Sequence, residues 1–205
     1  MMGKLPILHE ILTITADPAA MTNYRRLRQP GGTYFFTVCL QDRSARLLVD
    51  HINTLRWAYA KTMADMPVAC PAMVVLPDHL HAIWTLPDGD TDFSERWRKI
   101  KSRFSHALEA DPNPNASKTA KRERGIWQRR FWEHRVRDDD ELQSIIAYCR
   151  NNPVKHGHVT DPQDWPYSSF SKRVGWAICP CCLMPTKSMG RLPILQLIHD
   201  PICAM

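Results

Sequence analysis

The stretch "PVACPAMVVLPDHLHAIWTL" (residues 67–86) constrains the fold more than any other part of the chain. Two apolar runs, rich in β-branched and aromatic residues, meet at Pro77-Asp78, a pair that favours a turn. They predict an antiparallel hairpin with strands over 67–76 and 79–86. Alternation along the second strand sends His79 and His81 to one face, and Leu80, Ala82 and Trp84 to the other. A lone hairpin is marginal in water, so further elements must bury its apolar faces.

The flanks supply them. "TYFFTVCL" (33–40), preceded by Gly31-Gly32, predicts a first strand. "HINTLRWAYAKTMADM" follows Asp50 and places Ile52, Leu55, Tyr59 and Met63 at helical spacing, with Asp50 or Asn53 as cap. Beyond the hairpin, "DFSERWRKIKSRFSHALEA" predicts a helix with the stripe Phe93, Trp97, Ile100, Phe104 and Leu108, leaving Arg96, Lys99, Arg103 and His106 outside it. A polar, basic loop follows from Asp111 to Gly125, and "IWQRRFWEHRVR" (126–137) predicts a strand of imperfect alternation. "DDDELQSIIAYCRNN" predicts a last helix with Asp138 as cap and acids in its first turn, ending at Asn152 ahead of Pro153. "VKHGHVTDPQDWPYSSF" then reads as folded coil. The order β-α-β-β-α-β plus one helix predicts an α+β fold of the ferredoxin-like split βαβ kind. Its antiparallel sheet has helices on one face, and the additional C-terminal helix carries Tyr148. The second face is left for a ligand or for that helix.

Charge is unevenly placed. Lys+Arg 27 against Asp+Glu 21 give a net +6, yet residues 94–137 alone carry +8 and the remainder −2. Trp97, Phe104, Trp127, Phe131 and Trp132 interleave with those cations. Phosphate contact combined with base stacking uses that mixture, so a nucleic-acid partner outweighs a solvated charged face. A hydrophobic fraction of 44% over 205 residues suits one ordinary domain. The seven cysteines are an odd number, and Cys39, Cys70 and Cys149 fall inside apolar segments as small core residues, which favours a reducing cytoplasm. Cys179, Cys181 and Cys182 in "CPCC" lack a second half-site and read as an incidental cluster. His9 and Glu10 interrupt the apolar start, so no signal peptide is expected, and no run approaches the ~20 apolar residues of a membrane span.

Two histidines on one strand face suit a metal ion, and they also suit a plain surface; the pair alone leaves both open. In "AYCRNNPVKHG" (147–157), Tyr148 and Asn152 stand four apart on one helical face. Alone, Tyr148 reads as a half-buried tyrosine with its hydroxyl in solvent. Together the four residues supply the parts of a metal-assisted phosphoryl transfer: Tyr148 as nucleophile, with His79, His81 and Asn152 as ligands that leave coordination positions open. A free tyrosine, with a pKa of ~10, is a poor nucleophile at neutral pH, so a nearby cation matters.

"LPDHLHAIWTLP", "RWRKIKSRFS", "WQRRFWEHRVRDDDEL", "AYCRNNPVKHGHV" and "DWPYSSF", in this order between Asn23 and Phe170, resemble the REP-associated tyrosine transposases. These are relatives of the single-tyrosine HUH transposases of bacterial insertion sequences. The resemblance places the family's His-hydrophobe-His element on His79-Leu80-His81, its catalytic tyrosine on Tyr148 and its third metal ligand on Asn152. It implies an endonuclease and strand transferase acting on single-stranded DNA at REP hairpins, with a 5′-phosphotyrosine intermediate, a released 3′ hydroxyl and Mg2+ or Mn2+ as cofactor. On this resemblance residues 21–175 form the enzymatic domain, 1–20 an N-terminal extension and 176–205 a tail with no counterpart. The expected location is the cytoplasm, at the nucleoid when acting, with no membrane partner; monomer and dimer both stay open.

For DNA contact the candidates are Arg25, Arg26, Arg96, Lys99, Arg103, Arg129, Arg130, Lys155 and His156. One rival is a non-catalytic single-strand binding module with exposed sheet aromatics, which leaves the His79, His81, Tyr148 and Asn152 set unexplained. Another is a metallonuclease in which water attacks and Tyr148 only positions. Asp138, Asp139 and Asp140 are accounted for as helix-start residues. Walker A, Rossmann and HExxH motifs are missing from the sequence, which argues against nucleotide-driven and zinc-protease chemistry.

Overall fold

The computed structural model describes residues 28–108 and 125–172. Four strands, β1 (Thr33–Cys39), β2 (Ala69–Val75), β3 (His79–Thr85) and β4 (Trp132–Arg135), form one antiparallel sheet in the order β2-β3-β1-β4. Helices α1 (Leu47–Asp50) and α2 (Ile52–Asp65) lie between β1 and β2, α3 (Phe93–Ala107) between β3 and β4, and α4 (Asp139–Lys155) follows β4. A short 3-10 turn, Pro162–Asp164, comes last. The chain is thus an α+β fold, and the hairpin read from 67–86 is the β2-β3 pair.

Pairing sorts the side chains into two layers. Thr37 opposes His81, Phe35 opposes Ile83, and Val74 opposes His81 from the other side. The opposite face carries Tyr34, Phe36, Val38, Met73, Leu80, Ala82 and Trp84, packed against Leu55, Tyr59 and Met63 of α2 and Phe93, Trp97, Ile100 and Phe104 of α3. Trp84 stacks on Trp97 at 4.2 Å, and its indole N–H donates to the Tyr59 hydroxyl at 2.9 Å. Each such side chain withdrawn from water contributes roughly 1.5–3 kcal/mol. The second face is covered by α4: Phe35, Ala72, Val74 and Ile83 form a second core with Leu142, Ile145, Cys149 and Trp165. Of the two occupants allowed for that face, the last helix takes it, and Phe35 is fully buried beneath it rather than exposed as a stacking platform.

Four local expectations are corrected. The helix over 51–66 starts without a side-chain cap: Asp50 closes the short α1, and Asn53 Oδ1 accepts from Arg56 instead. The strand over 126–137 is shorter than its apolar run, with only Trp127 bridging to Leu40 ahead of β4. Helix α4 does not stop at Asn152. It runs through Pro153 to Lys155, because Asn152 and Pro153 are both buried and the turn is closed by His156 N–H to Asn152 O at 3.0 Å and Gly157 N–H to Val154 O at 2.9 Å. Gly157, at φ 71°, takes the left-handed conformation that ends the helix.

Arg96 is the fourth. It is 2% exposed, not outside the helix stripe. The carbonyls of Met66 and Pro67, just past the end of α2, lie beside it and accept from its Nε at 3.0 Å and Nη2 at 3.2 Å, while Asp90 accepts from Nη1 and Nη2 at 3.1 and 2.5 Å. Burying a guanidinium is tolerable here because each of its three nitrogens has an acceptor.

Asp138 caps α4 as expected, its side chain accepting from Glu141 N–H at 2.8 Å. The coil after α4 runs along the edge of β2: Val75 N–H donates to Tyr167 O at 2.8 Å, and the Trp165 indole donates to Val75 O at 2.9 Å. That pairing shields an edge strand from stray partners. The segments 1–20 and 176–205, with the "CPCC" cluster, and the basic loop around Lys118 fall largely or wholly outside the described residues.

Candidate active site

β3 and α4 meet where the sequence places its chemistry. His79 and His81 are 5% and 3% exposed, so they are not surface histidines, and their rings stand 5.0 Å apart. Tyr148, half-buried on α4, lies with its ring 5.3 Å from His81 and edge-on to Phe35 at 6.0 Å, while Phe35 itself stacks on His81 at 5.4 Å. One turn further on, Asn152 is 1% exposed. Lys155 holds its ammonium 5.6 Å from the centre of the Tyr148 ring, and the His156 ring lies 5.3 Å from His79. The four residues of the expected constellation therefore sit on facing elements, with Phe35 packed against His81 and Tyr148.

Hydrogen bonding marks what this cluster can hold. The Thr37 hydroxyl and His81 Nδ1 are 3.0 Å apart, and His79 Nδ1 lies 2.8 Å from the Asp78 carboxylate. Each ring thus has its Nδ1 engaged and its Nε2 uncommitted. His81 Nε2 and both amide atoms of Asn152 are buried with no hydrogen-bond partner. Unanswered buried polar atoms are costly, and three gathered at one place fit a site for a further ligand. Neutral imidazole nitrogen and an amide oxygen are suitable donors for a divalent cation. Among the described residues, no group of three or more His, Cys, Asp or Glu side chains is arranged to hold a metal; a set of two histidines and an amide is of a different kind.

The titrating groups follow from burial and neighbours. Burial holds His81 well below the usual histidine range, with the charges of His79 and His156 adding to the effect, so its ring is neutral and able to donate a lone pair. Burial also raises Tyr148 above the ordinary tyrosine value; the Asn152 amide lies close enough to favour the phenolate but makes no hydrogen bond of good geometry with it. Burial works to raise Asp78, but the His79 bond and the Arg43 charge outweigh it and hold the carboxylate below its normal range.

The proposed DNA-contacting residues divide. Arg129, Arg130, Lys155 and His156 are exposed, and Lys99 is partly so. Arg103 gives its donors to Thr62 Oγ1 at 2.7 Å and Asp65 at 2.6 Å, tying α3 to α2. Arg96 is buried as described and offers no free face to a phosphate. Arg25 and Arg26 lie outside the described residues. Sequence reasoning missed Thr37, Asp78 and Arg43 as partners of the histidines; the signal available was Asp78 itself, adjacent to His79 but read only as a turn residue.

The chain is 45% identical over 161 residues to a protein of Haemophilus influenzae provisionally named a REP-associated tyrosine transposase, covering 78% of this chain and 92% of the relative. It is 44% identical over 160 residues to the REP-associated tyrosine transposase of Escherichia coli K12, covering 78% and 89%. The chain belongs to the REP-associated tyrosine transposase family. A solved structure of a REP-associated tyrosine transposase bound to a REP hairpin superposes with a TM-score of 0.65 at 43% identity, covering 78% of this chain and 90% of that one. No protein-family model matches the sequence. As a transposase of this family it is an enzyme that acts on DNA, and among the described residues no helix is long and apolar enough to cross a membrane.

Proposed function

We propose that this transposase is a divalent-metal-dependent endonuclease and strand transferase for single-stranded DNA at REP hairpins, working through a covalent 5′-phosphotyrosine on Tyr148. The observation that carries the reading is the packing of Tyr148 against His81, with His81 Nε2 and the Asn152 amide buried and unanswered beside it. The strand order β2-β3-β1-β4 with the element order β-α-β-β-α-β supports the ferredoxin-like split βαβ description, to which α4 adds the tyrosine. The enzymatic domain is residues 21–175, working in the cytoplasm.

In this mechanism His79, His81 and Asn152 would hold Mg2+ or Mn2+. The chemistry supplied by such a cation, when bound, is charge neutralisation at the scissile phosphate. Tyr148 Oη gives up its proton to water and forms a bond to phosphorus; the bond from phosphorus to the 3′ oxygen breaks, and that oxygen takes up a proton and leaves as a hydroxyl. The phosphate stays joined to the 5′ side and to Tyr148, so a second 3′ hydroxyl can reverse the step and join new strands. Phe35 fixes the ring of Tyr148 from below. Lys155 and His156, exposed at the mouth, with Lys99, Arg129 and Arg130 and the arginines at 25 and 26, hold the DNA backbone.

The test is to incubate the protein with labelled single-stranded DNA carrying REP hairpins, with and without manganese, and resolve the products on a denaturing protein gel. A manganese-dependent protein–DNA adduct that vanishes in Tyr148→Phe is the expected result. Cleavage without an adduct would assign the attack to water, and binding without cleavage would reduce the protein to a binding module.

A further inference from the structure

We infer that Asp78 is a positioning residue, which orients the His79 ring for a metal cation by accepting its Nδ1–H and so leaving Nε2 as the free lone pair. The inference rests on the metal-dependent reading above and deepens it. Asp78 Oδ1 lies 2.8 Å from His79 Nδ1. An ionised carboxylate only accepts hydrogen bonds, so a contact this short requires the proton on Nδ1. Arg43 Nη2 also approaches Nδ1, at 3.4 Å, but a guanidinium only donates, and the two demands cannot both be met. The shorter contact decides, since a carboxylate facing an imidazole lone pair at 2.8 Å would be repelled. Arg43 instead serves the carboxylate: its Nε pairs with Asp78 Oδ2 at 2.7 Å.

The result is a chain from the loop after β1, through the turn, to the ring: Arg43 fixes Asp78, and Asp78 fixes His79. Both ends of the last bond are shielded, with the side chains of His79 and Asp78 6% and 15% exposed. A carboxylate bonded to the far nitrogen of a ligating histidine sets its tautomer, holds its plane and raises its basicity, and removing such a partner typically lowers metal affinity by about 10–100-fold. Thr37 stands in the equivalent place for His81, although a hydroxyl can give or accept and so selects the tautomer less firmly.

The test uses the full chain without DNA. Manganese binding is measured by titration calorimetry for the natural protein, Asp78→Ala, Asp78→Asn and Arg43→Ala, and the histidine tautomers of the metal-free proteins are read by 15N NMR. Asp78→Ala is expected to weaken manganese binding about 10–100-fold. Asp78→Asn, which keeps an acceptor oxygen, falls between it and the natural protein. Arg43→Ala, which breaks the same ion pair but leaves the bond to His79, loses clearly less than Asp78→Ala. The natural protein shows His79 protonated on Nδ1. Unchanged affinity in Asp78→Ala, an equal loss in Arg43→Ala, or a His79 protonated on Nε2 would each overturn the assignment. A natural protein that binds no manganese would instead overturn the metal-dependent reading beneath it.

Discussion

Arg96→Met separates the structural arginines of α3 from those proposed to meet DNA. The substitution keeps an apolar stem of similar reach and removes the guanidinium. In the folded chain that guanidinium answers two carbonyls, Met66 O and Pro67 O, and both oxygens of Asp90. Removing one partner of a fully buried pair costs about 3–5 kcal/mol. Asp90 is 22% exposed and can take water, which lowers its share, while the two orphaned carbonyls each add about 1 kcal/mol. The net expectation is a loss of about 3 kcal/mol, or a fall in Tm of about 10 °C for a domain of this size. Urea unfolding measures the first, with an unchanged slope, and a thermal melt the second. Affinity for a REP hairpin and its dependence on salt, measured well below the melting point, should match those of the natural protein. A variant that loses less than about 1 kcal/mol while its salt dependence flattens by one phosphate contact would refute the argument and return Arg96 to the DNA surface.

Three further outcomes follow from the same geometry. Glu141 accepts from His134, from the Arg137 backbone and from its guanidinium, and although burial pushes its carboxyl up, these bonds pull it down to about 2 from 4.5. The unfolded chain therefore binds the extra proton between those values, so this contribution is complete above pH 4.5 and lost as pH falls through about 2. Glu141→Gln should flatten the acid limb of a stability–pH curve measured by urea unfolding. Replacing Arg129 and Arg130 together by alanine should weaken binding to hairpins of every sequence and reduce the salt slope by up to about two, as read by fluorescence anisotropy. Lys155→Ala should slow formation of the Tyr148 adduct about tenfold in single-turnover gels, through loss of the cation that rests over the Tyr148 ring.

How much of this was legible in the sequence depended on the range over which each residue is decided. β1 and the β2-β3 hairpin were, because alternation is local: it put His79 and His81 on one face and Leu80, Ala82 and Trp84 on the other, and the pairing with Thr37 and Phe35 agrees. The cap at Asp138 was, because it needs only the next turn of chain. Arg96 was not. Its place off the apolar stripe is correct for an isolated helix, and its burial is set by the Met66-Pro67 carbonyls, nearly thirty residues upstream. Asp78 was read only as a turn residue because its contact with His79 Nδ1 is set by how the side chain turns in the folded hairpin, which spacing does not show. Nor could spacing show that Asn152 would be wholly enclosed with both amide atoms unanswered, which is the strongest physical mark the site carries.

The misplaced end of α4 links these threads. The residue before a proline is biased away from helical backbone, a local preference that predicts a stop at Asn152. Burial of Asn152 and Pro153 overrides it, and the helix gains its final turn. That turn has a consequence for the site. Residues seven apart on a helix differ by about 20° in direction, so Lys155 projects on the face of Tyr148, about 10 Å along the axis, and side chains lean back toward the N-terminus. A lysine stem spans most of the gap, which is why the ammonium rests over the phenol ring. The same helix closes the second core through Leu142, Ile145 and Cys149 on the side that meets the sheet. Packing and the proposed chemistry are thus coupled in α4: the turn that carries the helix past Pro153 also sets the Lys155 ammonium over the ring of Tyr148, the proposed nucleophile, and a helix that obeyed its local preference would end before Lys155.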